Sequence, residues 1–358
     1  MGRVIVVVGG QFGSEGKGEV TGYLAGLSHL ADEDVVAVRV AGPNAGHTVT
    51  HPKTGDAIAL RHIPVAAVTH PEAMLVIAAG SEIDPAVLES EIRLLEDEYA
   101  LNIRGRLLVD PAATMIDREY LLSEQEMATQ GRSTGKGIGA ARTARLMRRA
   151  RTYGGQHSPS PGRGGVTAGI IRDELAGGAA VIVEGTQGYG LGLHSPYYPF
   201  ATSSDCRAID FLAMAGISPW APEVDLVSVW VVVRNRAIRI AGDSGPLDNE
   251  TTWEALDIPP ELTTVTRKVR RVGSFMPELV KAAILANGGP SLTVKVALTH
   301  LDHEDFGWDV GSNGWKEAAE QWLEAREREI GSAIALVSVG PGEFVSRLGL
   351  NQYHERGR

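Results

Sequence analysis

The chain has 358 residues, 44 of them acidic and 34 basic, for a formal net charge of −10 at pH 7. That balance argues against a nonspecific nucleic-acid binder, which needs a basic surface, but leaves room for a local basic pocket around a phosphorylated small molecule. With 43% hydrophobic and 22% charged residues the composition is that of a core-forming protein rather than a disordered one. The single cysteine, Cys206, excludes an internal disulfide and a cysteine-based zinc cluster, and it suits a reducing compartment. The apolar run after Met1-Gly2-Arg3 is short, and no run nears the roughly 18 residues of a membrane span. A soluble, cytoplasmic protein is expected, without direct nucleic-acid or membrane binding.

Seven apolar, β-branched runs follow one another: Val4–Val8, Val35–Val40, Met74–Ala79, Ala179–Val183, Leu226–Val233, Leu292–Leu298 and Ala333–Val339. Most are continuous rather than alternating, which predicts strands buried on both faces. Several run into Gly-rich or polar loops, among them Gly9-Gly10-Gln11, Ala41-Gly42-Pro43-Asn44, Glu184-Gly185-Thr186-Gln187 and Thr299-His300-Leu301-Asp302. Helical patterns such as Pro85–Tyr99 and Trp315–Ile330 lie between some of them. This grammar predicts an α/β fold: a large, mostly parallel central sheet flanked by helices. We expect one unit over residues 1–358, with mobile loops near 132–165 and 263–273. The 43 glycines, about 12% of the chain where about 7% is usual, belong in loops that turn tightly or approach a ligand. In such sheets ligands sit beyond the carboxyl ends of the strands.

The first loop reads Gly9-Gly10-Gln11-Phe12-Gly13-Ser14-Glu15-Gly16-Lys17-Gly18-Glu19. It follows a strand and opens a predicted helix, so its backbone N–H groups and Lys17 can cradle a phosphate; the plainer alternative is a tight turn with an exposed lysine. It departs from the ordinary P-loop, because Gln11 stands at the first glycine and Gly18 replaces the hydroxyl after the lysine. His47, in Gly42-Pro43-Asn44-Ala45-Gly46-His47-Thr48, follows a buried strand and is a candidate catalytic residue. Two basic islands, Arg132–Ala150 and Arg267–Arg271, suggest anionic ligands or solvated helix faces. Asp84, Asp110 and Asp205 read as caps, Trp220, Trp230 and Trp253 as core, His62 as structural and Cys206 as a buried small residue.

The motifs GGQFGSEGKGE, AGPNAGHTV, RSTGKGIG, EGTQG, YYPFATSSD, TTVTRKVRRVG, THLD and SVGPG occur in the order found in adenylosuccinate synthetases. From Val4 to about Pro341 the chain resembles that family. The resemblance implies a C–N ligase that phosphorylates a purine 6-oxygen and then displaces the phosphate with the amine of L-aspartate. It implies Mg2+ and a nucleoside triphosphate. Lys17 would neutralise the transferring phosphoryl group, and His47 would donate a proton or hydrogen bond toward the 6-oxygen. Gly13, Glu15, Gly16, Lys17, Gly18, His300, Asp302, Gly340 and Pro341 would hold the donor. Ser14, Asn44, Ser133, Thr134, Gln187 and Thr202 would meet the acceptor nucleotide, with Arg148 reaching the 5′-phosphate in a neighbouring subunit of a homodimer. Thr264, Val265, Thr266, Lys268, Arg270 and Arg271 would bind aspartate, where the arginine fork suits carboxylates. Ser14 and the Gly46 carbonyl stand at the magnesium positions.

Three departures from the family pattern shape the expected substrates. Ser14 replaces an aspartate that takes the N1 proton of inosinate; a short neutral side chain instead leaves space for the amino group on C2 of guanine. This replacement resembles the bacteriophage branch of the family, the 2-aminoadenylosuccinate synthetases, which use dGMP. Bulk water, the phosphoryl oxygens or Glu15 then remain as acceptors for the N1 proton. In the aspartate loop, Arg267 stands at the family's glycine and Lys268 at its first arginine, compatible with a sugar lacking its 2′-hydroxyl. In the donor motif, His300 stands at the lysine that reads guanine, which favours ATP or dATP over GTP. An ordinary enzyme using IMP and GTP, and an inactive nucleotide-binding homologue, are the alternatives.

Overall fold

The structure is a computed structural model and describes residues 1–125, 133–155, 167–263, 267–304 and 317–347. Its strands, in chain order, are β1 (Gly2–Gly9), β2 (Val35–Arg39), β3 (His47–Thr50), β4 (Ala57–Leu60), β5 (Met74–Ile77), β6 (Glu82–Ile83), β7 (Leu107–Val109) and β8 (Thr114–Met115). They continue with β9 (Ala180–Glu184), β10 (Val224–Arg234), β11 (Ile238–Arg239), β12 (Arg271–Val272), β13 (Val294–Thr299), β14 (Ile334–Gly340) and β15 (Glu343–Ser346). Nine strands form the central sheet, in the order β15-β14-β13-β10-β1-β9-β2-β5-β7. Every neighbouring pair is parallel except β14 with β15.

The continuous apolar runs are explained by helices on both faces. Val4, Val6 and Val8 of β1 point to one face with Val181 and Val183 of β9; there they meet Ile171, Leu175, Phe211, Val280 and Leu323 from four helices. Ile5 and Val7 point to the other face, among Val20 and Leu24 of helix α1 (Lys17–Leu30) and Leu88 and Ile92 of the helix Pro85–Arg93. Each such side chain, fully buried, contributes about 1.5–3 kcal/mol relative to exposure. Period-two alternation is lost in the sequence because neither face is wet.

All seven predicted runs lie in this sheet. Two edge strands carried no such signal: β7 is three half-buried residues, and β15 mixes polar and apolar positions. Pro85–Tyr99 is α-helical to Arg93 and widens into a π-helical turn over Leu94–Glu98. The expected segment Gln156–Gly165 lies outside the described residues, as does the start of Trp315–Ile330, whose helix is described over Glu317–Ile330. Asp84 caps its helix through the N–H groups of Ala86 and Val87, and His62, Cys206, Trp230 and Trp253 are buried. Trp220 is not in the core: it sits in the turn before β10, 84% exposed, with no regular element to carry it inward. No described helix is long and apolar enough to cross a membrane.

Candidate active site

The carboxyl edge of the parallel sheet is polar. The last residues of β2, β9, β10 and β13 are Arg39, Glu184, Arg234 and Thr299, flanking the loop that leaves β1 at Gly9. Arg39 and Glu184 are register partners across β2 and β9, as are Arg234 and Thr299 across β10 and β13. Charged residues that end buried strands need partners, so the sheet register itself assembles the base of the site.

The phosphate loop is stitched from below by Glu15, which is fully buried. Its Oε1 accepts from the N–H groups of Gln11 at 3.1 Å and Gly13 at 2.8 Å, and its Oε2 from Lys17 Nζ at 2.6 Å. The Glu15 carbonyl accepts from Thr299 Oγ1 at 2.7 Å. Gly13, Ser14 and Gly16 all take left-handed backbone, and α1 starts at Lys17, so its first N–H groups open toward the cavity. A Cβ on Gly18 would meet the Thr48 carbonyl at 2.3 Å and His47 Cβ at 2.9 Å. The missing hydroxyl after the lysine is therefore explained: α1 is pressed against β3, the strand that brings in His47.

Buried behind His47 is a charge pair that sequence reasoning did not identify. Arg39, wholly buried, donates from Nη1 to Glu184 Oε1 and from Nη2 to the Ala45 carbonyl at 3.0 Å. His47 Nδ1 lies 2.5 Å from both Arg39 Nη1 and Glu184 Oε1, and Glu184 Oε2 accepts from the Val65 N–H at 3.0 Å. Burial, reinforced by the Arg39 charge, lowers the His47 pKa to about 3, so the imidazole is neutral at physiological pH. A charge inside the run Val35–Val40, and another closing the run before Gly185, were the available signals. Their pairing depends on strand order, which local reading does not supply.

The far side of the cavity is more open. Arg234, 1% exposed, donates from Nη1 to the Ser14 carbonyl at 3.2 Å and to Glu261 Oε2 at 3.0 Å, while Nη2 donates to Glu261 Oε1. Burial acts to raise the Glu261 pKa, but the Arg234 charge outweighs it and holds the carboxyl at about 2. Burial lowers the pKa of Arg270 beside this pair. On the same side, His300 takes left-handed backbone and its Nδ1 lies 2.8 Å from Thr299 Oγ1; burial, then Arg234, keeps the ring neutral.

These groups share one cavity of about 830 Å³. Of the residues predicted to hold the donor, Gly13, Gly16, Lys17, Gly18, His300, Asp302, Gly340 and Pro341 line it. So do Ser14, Asn44, Gly46, His47, Ser133, Thr134, Gln187, Thr202, Lys268 and Arg270. Glu15 does not; its carboxylate is consumed inside the loop, which removes it as an acceptor for the N1 proton. Arg271 turns away to Glu250 and the Gly245 carbonyl. Arg148 is exposed at the end of the helix Ile138–Leu146, outside the cavity of its own chain. Thr264, Val265 and Thr266 lie outside the described residues. Arg239 was not anticipated: it is buried on the wall, its guanidinium 3.5 Å over the Phe12 ring.

Among the described residues no group of three or more His, Cys, Asp or Glu could hold a metal ion alone. The oxygens available at the phosphate loop are a hydroxyl and a backbone carbonyl. These hard, neutral donors fit Mg2+, which takes few protein ligands and completes its shell with water and phosphate oxygens.

A helix-opening loop of backbone N–H groups, a lysine, a neutral imidazole and guanidinium groups around one cavity mark an anion-binding site of the kind nucleotide-using enzymes carry. The family model described as adenylosuccinate synthetase matches residues 6–157 and 165–306. The chain is 34% identical over 343 residues to the adenylosuccinate synthetase of Pyrococcus horikoshii, covering 94% of this chain and 96% of that one. It is 35% identical over 309 residues to that of Methanocaldococcus jannaschii, covering 84% and 83%. The protein belongs to the adenylosuccinate synthetase family and is a C–N ligase. Among solved structures, cyanophage S-2L succinoaminodeoxyadenylate synthetase, bound to dGMP and dATP as an energy donor, aligns with a TM-score of 0.77 at 27% identity over 97% of this chain and 95% of that one. Fully ligated adenylosuccinate synthetase from Plasmodium falciparum aligns with a TM-score of 0.76 at 18% identity over 97% and 100%, a likeness of fold alone.

Proposed function

We propose that this ligase joins L-aspartate to C6 of dGMP, with ATP or dATP as phosphate donor, and makes N6-succino-2-amino-2′-deoxyadenylate for 2-aminoadenine DNA. The observation that carries the reading is Ser14: it lines the cavity beside the phosphate loop, where the family pattern has an aspartate. A hydroxymethyl group leaves room for guanine's exocyclic amine and can accept from it. The phage enzyme of similar fold is bound to dGMP and dATP, which supports the same choice here.

In the first step the purine 6-oxygen bonds to the γ-phosphorus, the bond to the β-phosphate oxygen breaks, and the N1 proton leaves. In the second the aspartate nitrogen bonds to C6, the C6–O bond breaks, and phosphate departs while the amine loses a proton. Lys17 and the N–H groups at the start of α1 neutralise the moving phosphoryl group. His47, its Nδ1 held between Arg39 Nη1 and Glu184 Oε1, would meet the 6-oxygen through its other ring nitrogen. Lys268 and Arg270 take the aspartate carboxylates, and Arg148 serves the acceptor 5′-phosphate of a partner subunit. Ser14 and the Gly46 carbonyl would hold Mg2+, whose chemistry when bound is charge neutralisation on the phosphates.

Incubation with dGMP, aspartate, ATP and Mg2+ should yield the succino adduct, and ATP should outcompete GTP. Ser14→Asp should weaken dGMP use. The second reading, an ordinary enzyme acting on IMP, is favoured by the archaeal relatives at 34–35% identity. A kcat/KM for IMP well above that for dGMP would establish it and overturn the first.

A further inference from the structure

Residues 261–263 and 267–270 pair antiparallel as the base of a hairpin. Leu262 bridges Val269, the Thr263 N–H donates to the Lys268 carbonyl at 2.8 Å, and the Arg270 N–H donates to the Glu261 carbonyl at 2.8 Å. This base presents Glu261, Thr263, Lys268 and Arg270 to the cavity. Of the groups that tie it to the phosphate loop, Arg234 is the most direct. One guanidinium bonds the Ser14 carbonyl on one side and both carboxylate oxygens of Glu261 on the other. Arg234 is itself fixed to the loop's start, since Gln11 Oε1 accepts from its N–H at 3.0 Å and Gln11 Nε2 donates to its carbonyl at 3.2 Å. Ser14 is a non-glycine residue with φ of 58°, a conformation that needs support from its surroundings.

We infer that Arg234 and Glu261 are a positioning pair that couples the phosphate loop at Ser14 to the hairpin bearing Lys268 and Arg270. Neither acts on the reacting atoms. A nucleotide that settles on the phosphate loop sets the Ser14 carbonyl, Arg234 follows it, and Glu261 carries the base of the hairpin into register. Coupling of this kind is reciprocal: groups bound by the hairpin also favour the loop's bound geometry. The aspartate half of the inference rests on the reading above; the mechanical half does not.

Glu261→Gln keeps volume and removes the charge, and Arg234→Lys keeps a cation but replaces with one nitrogen the two that span Ser14 and Glu261. Circular dichroism establishes that each is folded. The first measurement is tryptic cleavage after Arg267, Lys268, Arg270 and Arg271, with and without a non-hydrolysable ATP analogue. In the native protein the analogue should slow cleavage at these bonds at least fivefold. In either variant that protection should fall below twofold, with cleavage elsewhere unchanged. Equal protection in native and variant proteins would overturn the pair's role. The second is kinetic: the variants should raise the aspartate KM at least tenfold while changing the Kd of the ATP analogue, measured without aspartate, less than threefold. Lost protection with an unaltered aspartate KM would retain the coupling and overturn the assignment of the hairpin to aspartate. Native protein that forms no succino adduct from any purine nucleotide would overturn the proposed function alone, since the protease measurement does not depend on it.

Discussion

The two sides of the cavity are built to different rules. On the phosphate side Glu15, Lys17, Arg39, His47 and Glu184 are all under a tenth exposed and bonded to one another or to backbone. On the hairpin side Lys268 is exposed, Arg270 and Glu261 are half-buried, and the Arg271–Glu250 pair meets solvent. The first arrangement is organised before any ligand arrives, which is what stabilising charge on a moving phosphoryl group requires. The second leaves charges accessible to solvent, as the proposed entry of aspartate would require.

The contrast can be broken at its strongest point first. Lys17→Met should lower kcat by about 10³, measured as aspartate-dependent phosphate release, because it removes the buried cation at the start of α1. Arg39→Met strands the Glu184 carboxylate in the core and should cost about 3–5 kcal/mol in denaturant unfolding, with much of it returned by Arg39→Met/Glu184→Met. Across the cavity, Arg270→Leu should raise the aspartate KM about 10–150-fold, the loss of a charge-assisted hydrogen bond. Arg271→Leu, whose partner is exposed Glu250, should change it by less than about fivefold; equal effects would erase the distinction between the two arginines.

Acidity gives the smallest and most graded test. His47 and His62 both have pKa values near 3 in the fold, lowered by burial from an ordinary 6.5. Below pH 6.5 the unfolded chain binds protons that the native state refuses, so stability falls as pH falls from 6.5 toward 3. Each histidine contributes a slope of about 1.4 kcal/mol per pH unit once its unfolded form is protonated. His62→Gln, remote from the phosphate loop, should flatten urea unfolding between pH 6 and 5 by one such slope. The kcat/KM profile should show no inflection near 6.5 from His47.

What could be read from the chain follows the range of the forces involved. Buried strands declare themselves because both neighbours of each residue are apolar, so seven of the nine sheet strands were legible, while the half-wet edges β7 and β15 were not. Lys17 and His47 were legible because a glycine-rich turn after a strand is a local signal. The pairs Arg39–Glu184 and Arg234–Glu261 join residues 145 and 27 positions apart, and nothing in the spacing announces them. Glu15 shows the opposite error. Read along the chain it is a free acid beside the ligand, but in three dimensions its oxygens are already committed to Gln11, Gly13 and Lys17.

Gly18 has an evolutionary corollary. Restoring serine or threonine after the lysine, as nucleotide hydrolases have it, would drive a methylene into the Thr48 carbonyl. Relief would require β3 to retreat, and His47 would retreat with it. The residue after the lysine is therefore tied to the placement of the imidazole, and neither can change without the other.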